Sequence, residues 1–381
     1  MKLLFKNKIF IIIIMFFKII KSIFFFFPLI FSTEGFDCSG MPEKVCVLYY
    51  GKCNWGGPLE GCMNRYLKSS NDALNKWMKW KQEFNKTYST VEEDEKRFVN
   101  FLENYEVVKR HTNKDYNLSL NHFSDLSRDE WLNRFNKFDT KDPSSFTTRL
   151  APIYSEEVLM NSPSQLDWRN SQLNPRGIKA VNDIKNQQQC GSCWAFSTIA
   201  SVEGAWALSG NSLISLSEQE LVDCSAQEGN QGCNGGLMDQ GFQYIIDNGG
   251  VCSEAEYPYK AQDGKCLGCK SVAHISSYFD IQPMNETAIF AAIQNGPVSI
   301  AIEADQESFQ FYSGGVYTDP GCGINLDHGV NLVGYGSENG KDYWILRNSW
   351  GTTWGENGYM RILRGQNICG LSQTPSIPVA K

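Results

Sequence analysis

Apolar residues change their spacing along this chain, and each change marks a different kind of segment. Two dense apolar runs open it, at 9–17 and 22–31, with Lys18 and Lys21 interrupting them. A charge at mid-bilayer costs roughly 2.5–3.5 kcal/mol on insertion scales, so residues 1–35 read as a cleaved signal segment in preference to a permanent anchor. Cleavage is expected near Thr33 to Gly35. Between 71 and 112 the period becomes helical. Leu74, Trp77, Trp80 and Phe84 fall on one face of a first helix, and Phe98, Phe101, Leu102, Tyr105 and Val108 stripe a second, with Thr90 and Glu93 placed as a capping box. From Asp167 onward the texture shifts to short β-type runs with many glycine turns, broken by one helical run, AFSTIASVEGAWALSG. That mixture predicts an α+β enzyme-sized unit in two lobes. Its clearest hairpin joins VNLVGYG to DYWILRNSWG through SENGKD, whose Asn-Gly pair favours a tight turn.

The 381 residues exceed what one small core uses, allowing two globular units plus processed segments. Hydrophobic residues at 42% against 20% charged exclude a disordered chain. A formal charge of -7 and the lack of a basic block past residue 21 argue against nucleic acid as a partner.

Cysteine use points to an oxidising compartment. There are 13 cysteines, so at least one thiol stays unpaired. Cys38, Cys46, Cys53 and Cys62 crowd a small module spanning 36–66, which has too little apolar surface for its own core and fits two disulfides better than zinc. Its role is not legible. Sequons at Asn85, Asn117 and Asn285 agree with secretory entry and are the glycosylation candidates.

Chemistry concentrates in NQQQCGSCWAF, residues 186–196. Cys193 sits where a turn meets the predicted helix, and amides at a helix start lower a thiol's pKa from its free value of about 8.5. Such a nucleophile needs a base within reach. The chain has four histidines. His111 and His122 lie upstream in the helical region, and His274 in KSVAHISSYF reads as an exposed or half-buried strand residue. His328 lies in NLDHGVNLVGYG beside Gly329, which permits close backbone approach. Folding the chain about the SENGKD turn brings His328 and Asn348 toward the same strand ends, where Asn348 could fix the imidazole tautomer.

CGSCWAF, the Asp327-His328-Gly329 triplet and the Asn348-Ser349-Trp350-Gly351 run together resemble the papain-like cysteine proteases, over nearly everything from residue 71 to the end. The resemblance implies a papain-like fold of a helical lobe and a β-barrel-like lobe with the cleft between them. It implies Cys193, His328 and Asn348 as a catalytic triad, with Gln187 sharing an oxyanion hole with the Cys193 amide. Trp350 would shield the His328 and Asn348 pair. Gln188 departs from the family's usual Gly. About seven extra residues between Asp167 and Gln187 would form a surface loop.

Residues 67–161 resemble the inhibitory propeptide of the cathepsin L-like branch, through Glu93, Arg97, Phe101 and Asn104 and through Asn121, Phe123 and Asp125, with Val108, Thr112 and Ser119 replacing the usual residues. Processing is then expected near Asn161 to Pro163, releasing a peptidase domain of 162–381. By the same likeness Cys190 pairs with Cys233, Cys224 with Cys266, and Cys322 with Cys369; Cys252 and Cys269 remain for an additional bridge. CNGGLM resembles the cathepsin L cleft: Gly235 and Gly236 would pair with substrate backbone, while Leu237 and Met238, completed by Ala301, Leu326, Gly329 and Thr374, would line an S2 pocket without an acidic base. The expectation is an endopeptidase favouring Leu or aromatic P2 residues.

Two other classes compete. Cys190-Gly191-Ser192-Cys193 is formally a C-x-x-C redox motif, but Trp194 follows it where thioredoxin-like sites place Trp first, and that reading leaves His328 and Asn348 without a role. A non-catalytic binder on the same fold is disfavoured because Cys193, His328, Asn348 and Gln187 are all present. No metal or organic cofactor is implied. Expected partners are protein and peptide substrates, the chain's own propeptide and cystatin-like inhibitors. The expected form is a monomer in the lysosome or secreted.

Overall fold

The computed structural model describes residues 72–135, 150 and 160–381, together with the backbone of two short paired strands, Phe36–Asp37 and Cys53–Asn54. The signal segment and most of the four-cysteine module lie outside the described residues. The chain divides into two units, Met1–Asn75 and Lys76–Lys381. The short paired strands belong to the first, and the main sheet and both large apolar cores to the second.

The two amino-terminal helices occupy 72–83 and Val91–Arg110. Thr90 caps the second, its side chain accepting from Glu93 N at 3.1 Å. Only half of the capping box forms, because the Glu93 carboxylate is taken by Arg97 Nε at 2.7 Å. The apolar face of the first helix also differs from expectation at one end: Leu74 is exposed, while Trp77 and Trp80 pack with Phe101 in a small core. The Trp77 and Trp80 rings stack at 5.1 Å. Charged side chains tie this pair to the following segment, with Asp125 accepting from Lys86 and Tyr88, and Arg97 bonded to both Glu130 and the Asp125 carbonyl.

The helix Cys193–Leu208 is buried on almost every side, which explains its nearly unbroken apolar sequence. With Glu218–Cys224 and Met238–Asp247 it builds one apolar core around Trp194, Ile199, Leu221, Phe242 and Ile245. A second core lies against the main sheet, around Trp168, Ile300, Leu332, Trp344 and Trp354.

That sheet runs in the spatial order Tyr116–Leu118, Tyr312–Tyr317, Tyr359–Leu363, Lys341–Arg347, His328–Glu338, Val298–Ile302, Ser376–Ala380 and Ile275–Asp280; Leu166–Asp167 also pairs with His328–Glu338. Pairing is antiparallel except between Tyr359–Leu363 and Tyr312–Tyr317. The first nine residues of His328–Glu338 are buried, so the strand reads as a continuous apolar run without alternation. Its turn to Lys341–Arg347 uses Asn339 and Gly340 at φ 51° and 77°, the left-handed pair that the Asn-Gly signal predicts. The edge strand Tyr116–Leu118 belongs to the amino-terminal region, which therefore extends the sheet by strand addition.

Four disulfides link Cys190–Cys233, Cys224–Cys266, Cys252–Cys269 and Cys322–Cys369, and Cys193 is the free cysteine among the described residues. The 170–180 segment is a mostly exposed loop held by short-range backbone bonds such as Leu173 N to Asn170 O at 3.0 Å.

Candidate active site

Cys193 opens its helix. Ser192, at the cap position, makes no side-chain capping bond; its hydroxyl meets Tyr259 Oη at 2.6 Å instead. No acidic residue occupies the first turn, so the positive end of the helix is left to the Cys193 sulfur. Burial nevertheless dominates and pushes the thiol up to about 12, with the Gly329 amide the strongest opposing influence.

His328 starts its strand directly across from this helix end. Gly329 makes the approach possible: a Cβ there would lie 3.2 Å from the Cys193 carbonyl carbon and oxygen and from Trp194 Cα. The His328 Nε2 is 2.8 Å from Asn348 Oδ1, and its ring stacks on Trp350 with centroids 4.6 Å apart. Burial lowers the imidazole pKa to about 4, against a smaller raising contribution from the Asn348 hydrogen bond. Its Nδ1 has no protein hydrogen-bond partner, so it is the nitrogen left for the thiol. Asp327, just before it, is pushed up to about 7 by burial, and its Oδ1 accepts from Ala304 N at 2.7 Å.

Gln187 is buried and stitched to the segment after Asn348. Its amide N–H donates to Ser349 O at 2.8 Å, its Oε1 accepts from Ser349 Oγ at 2.7 Å, and its Nε2 donates to Cys190 O at 3.1 Å. Gln188 adopts φ 55°, the left-handed conformation that a glycine would adopt without strain. Gln188 thus takes on backbone strain that a glycine would avoid, with its side chain exposed.

Of the expected substrate residues, Leu237, Met238, Ala301 and Leu326 belong to one apolar cluster with Trp194. Gly236 touches the Trp194 ring so closely that a Cβ would lie 2.8 Å from it, and Leu237 N donates to Asn230 Oδ1 at 2.9 Å. Gly235 holds φ 121°. Thr374 is half-buried. His274 is half-buried at a strand start, its Nδ1 2.6 Å from Gly249 O, away from the site.

Sequence reasoning missed Tyr259, whose hydroxyl donates to Gln187 O at 2.9 Å while holding Ser192. It also missed Trp131, which meets Trp350 edge-on at 4.9 Å, with Phe123 edge-on to both. These two aromatics anchor the amino-terminal region beside the site, helped by Asn121 Nδ2 donating to Gln310 O at 2.7 Å and by Lys341 to Asp115 at 3.0 Å. A third omission is a buried ion group of Lys185, Glu203, Glu218 and Arg347. Glu203 is the lone charge in CWAFSTIASVEGAWAL, and that isolation was its available signal.

Residues 162–379 match the family model described as papain family cysteine protease, and residues 77–131 the cathepsin propeptide inhibitor domain. The chain belongs to the papain family of cysteine proteases. It carries the inhibitor-type propeptide as part of the same polypeptide. It is 44% identical to the KDEL-tailed cysteine endopeptidase CEP2 of Arabidopsis thaliana, over 76% of this chain and 81% of that one. Procathepsin L of Mus musculus is 40% identical over 80% of this chain and 91% of its own length. The probable cysteine protease RD21B of Arabidopsis thaliana is 45% identical over 76% of this chain, which spans 62% of that longer protein. Among solved structures, digestive procathepsin L 3 of Tenebrio molitor larval midgut superposes with a TM-score of 0.71 at 40% identity, covering 81% of this chain and 99% of that one. The fold is therefore that of a papain-like proenzyme.

Proposed function

We propose that this chain is the zymogen of a cysteine endopeptidase that cleaves peptide bonds through a Cys193, His328 and Asn348 triad. The observation that carries the reading is the buried 2.8 Å hydrogen bond from His328 Nε2 to Asn348 Oδ1 beneath Trp350, beside the one free thiol at a helix start among the described residues. In the active enzyme the Cys193 thiolate, paired with protonated His328, attacks the substrate carbonyl carbon. His328 then donates its proton to the leaving amine, and water hydrolyses the thioester. Gln187 Nε2 and the Cys193 amide receive the developing oxyanion once Gln187 exchanges Cys190 O for substrate.

The apolar cluster of Met238, Ala301 and Leu326 supports a preference for Leu or aromatic side chains at P2, with Gly235 and Gly236 offering backbone to an extended substrate. The propeptide acts as the intramolecular inhibitor, and its removal near Asn161 to Pro163 frees the cleft. Cystatin-like proteins are expected inhibitors, and the mature form is taken as a monomer. Entry into the secretory route, ending in the lysosome or outside the cell, fits the signal segment, the disulfides and the sequons; Asn85 and Asn117 are exposed, and Asn285 is half-buried at a helix cap.

The test is acid treatment of the purified precursor followed by assay on Phe-Arg, Leu-Arg and Arg-Arg substrates. Peptidase activity that favours the first two is expected. Comparable turnover of Arg-Arg would remove the P2 assignment, and no peptidase activity at all would return the chain to the non-catalytic binders.

A further inference from the structure

Asn348 also lines a cavity of about 20 Å³, together with Lys185, Glu218, Asn331, Arg347 and Ser349, among others. One water needs about 10–15 Å³ of such space and two to four polar partners. Three of these residues each bring a buried polar atom with no protein hydrogen-bond partner: Glu218 Oε2, Asn331 Oδ1 and Asn348 Nδ2.

The orientation of each group is fixed by its other bonds. Asn348 Oδ1 accepts the Ser349 backbone N–H at 2.8 Å, so the remaining terminal atom is the NH₂ donor. Ser299 Oγ donates to the Ser197 carbonyl at 2.9 Å, so it must accept from Ser201 Oγ at 2.8 Å. Ser201 Oγ in turn accepts from Asn331 Nδ2 at 2.7 Å, leaving the Asn331 carbonyl oxygen as the free acceptor. Glu218 is held through its other oxygen by Lys185 Nζ at 2.7 Å, and Lys185 also meets Glu203 at 3.2 Å. One donor and two acceptors are thus presented together.

We infer that this cavity is a binding site for one ordered water, which accepts from Asn348 Nδ2 and donates to Asn331 Oδ1 and Glu218 Oε2, making Asn331 and Glu218 positioning residues for Asn348. Both water protons then meet acceptors, and a water lone pair takes one N–H of Asn348 Nδ2. The water ties the carboxamide that orients His328 to the ion group between the helical and sheet cores. Without it, Asn348 would be steered on its oxygen side alone. The inference rests on Asn348 being the third member of the triad.

A high-resolution crystal structure of the full-length precursor, with Cys193→Ala to prevent processing, tests the site directly. Density for a water within hydrogen-bond distance of all three atoms is expected; its absence overturns the inference. For the positioning role, Asn331→Leu removes the acceptor and fills the space. The activated variant is expected to lose about 10-fold in kcat with KM little changed, and Asn331→Ser, which restores an acceptor with room for a second water, to recover part of it. Wild-type kcat in a folded Asn331→Leu enzyme overturns the role. If Asn331→Leu does not fold, Glu218→Ala carries the same kcat and KM comparison. Asn348→Ala run in parallel separates the two claims: unchanged kcat there removes the underlying triad reading, whereas a large loss there beside an unaffected Asn331→Leu removes only the water link.

Discussion

Asn348 Oδ1 accepts two hydrogen bonds at once, from the Ser349 backbone N–H at 2.8 Å and from His328 Nε2 at 2.8 Å. A carbonyl oxygen only accepts, so His328 carries its proton on Nε2 and presents the Nδ1 lone pair as a base. The stacked Trp350 ring keeps that face of the pair dry. Replacing Asn348 by Ala should therefore lower kcat by about 100-fold, because the imidazole loses both tautomer and direction. KM should change little. Steady-state kinetics on a Phe-Arg substrate measures this, and an unaltered kcat would show that the ring is held by packing alone.

Charge state should distinguish precursor from active enzyme. Burial holds the Cys193 thiol up to about 12 and His328 down to about 4, so between pH 5 and 7 the precursor has a neutral thiol beside a neutral imidazole. Alkylation of Cys193 should be slow and rise only at alkaline pH in the precursor, then become fast near pH 6 after processing. Equal rates in both forms would contradict a site silenced by desolvation.

Trp131 gives the propeptide an aromatic hold directly over Trp350. Large-to-small changes at buried aromatics cost about 3–5 kcal/mol, so Trp131→Ala should loosen this clamp strongly. The variant precursor should process itself faster at pH 5 and show measurable activity near neutrality. Processing at the wild-type rate would place the hold elsewhere.

Gln188 holds a left-handed backbone, which costs a non-glycine residue roughly 1–2 kcal/mol. Gly would remove that strain and restore about 0.5–1 kcal/mol of unfolded-state entropy. Gln188→Gly should thus stabilise by about 1.5 kcal/mol at most, while Gln188→Val, β-branched at the same φ, should destabilise by about 1–2 kcal/mol. Denaturant unfolding of the Cys193→Ala precursor reads both. A more stable Val variant would mean that the loop adopts another conformation.

Two buried carboxyls have raised pKa values, Asp239 at about 8 and Asp327 at about 7, in each case chiefly through burial. A raised carboxyl binds more protons folded than unfolded, so stability is greatest below its unfolded pKa and falls as pH rises through the folded one. His328 works in the opposite direction, but only between about 6.5 and 4. From pH 6.5 to 8 the carboxyls act unopposed by it, and the Tm of the Cys193→Ala precursor should fall. A rising Tm across that window would mean these carboxyls are ionised in the folded state.

How much the sequence disclosed depends on the range of each interaction. The Asn339-Gly340 turn, the helix beginning at Cys193 and the Thr90 cap depend on neighbouring residues and were legible. Leu74 fits the helical period yet is exposed, because period alone does not say where a helix stops being covered. Lys185, Glu203, Glu218 and Arg347 lie far apart in sequence, so their meeting required the fold. The Gln188 substitution was visible, but its left-handed φ was not, since side-chain identity there runs against the conformation. Trp131 sits in a short helix whose partner, Trp350, is more than two hundred residues away.

The assignment of Cys193 as nucleophile is tested most directly by labelling the acid-activated protein with an epoxide thiol inhibitor and mapping the adduct by mass spectrometry. A single adduct on Cys193 should form in step with loss of peptidase activity, and Cys193→Ala should show neither label nor activity. Full activity in Cys193→Ala, or inactivation by a label on another residue with Cys193 unmodified, would contradict it.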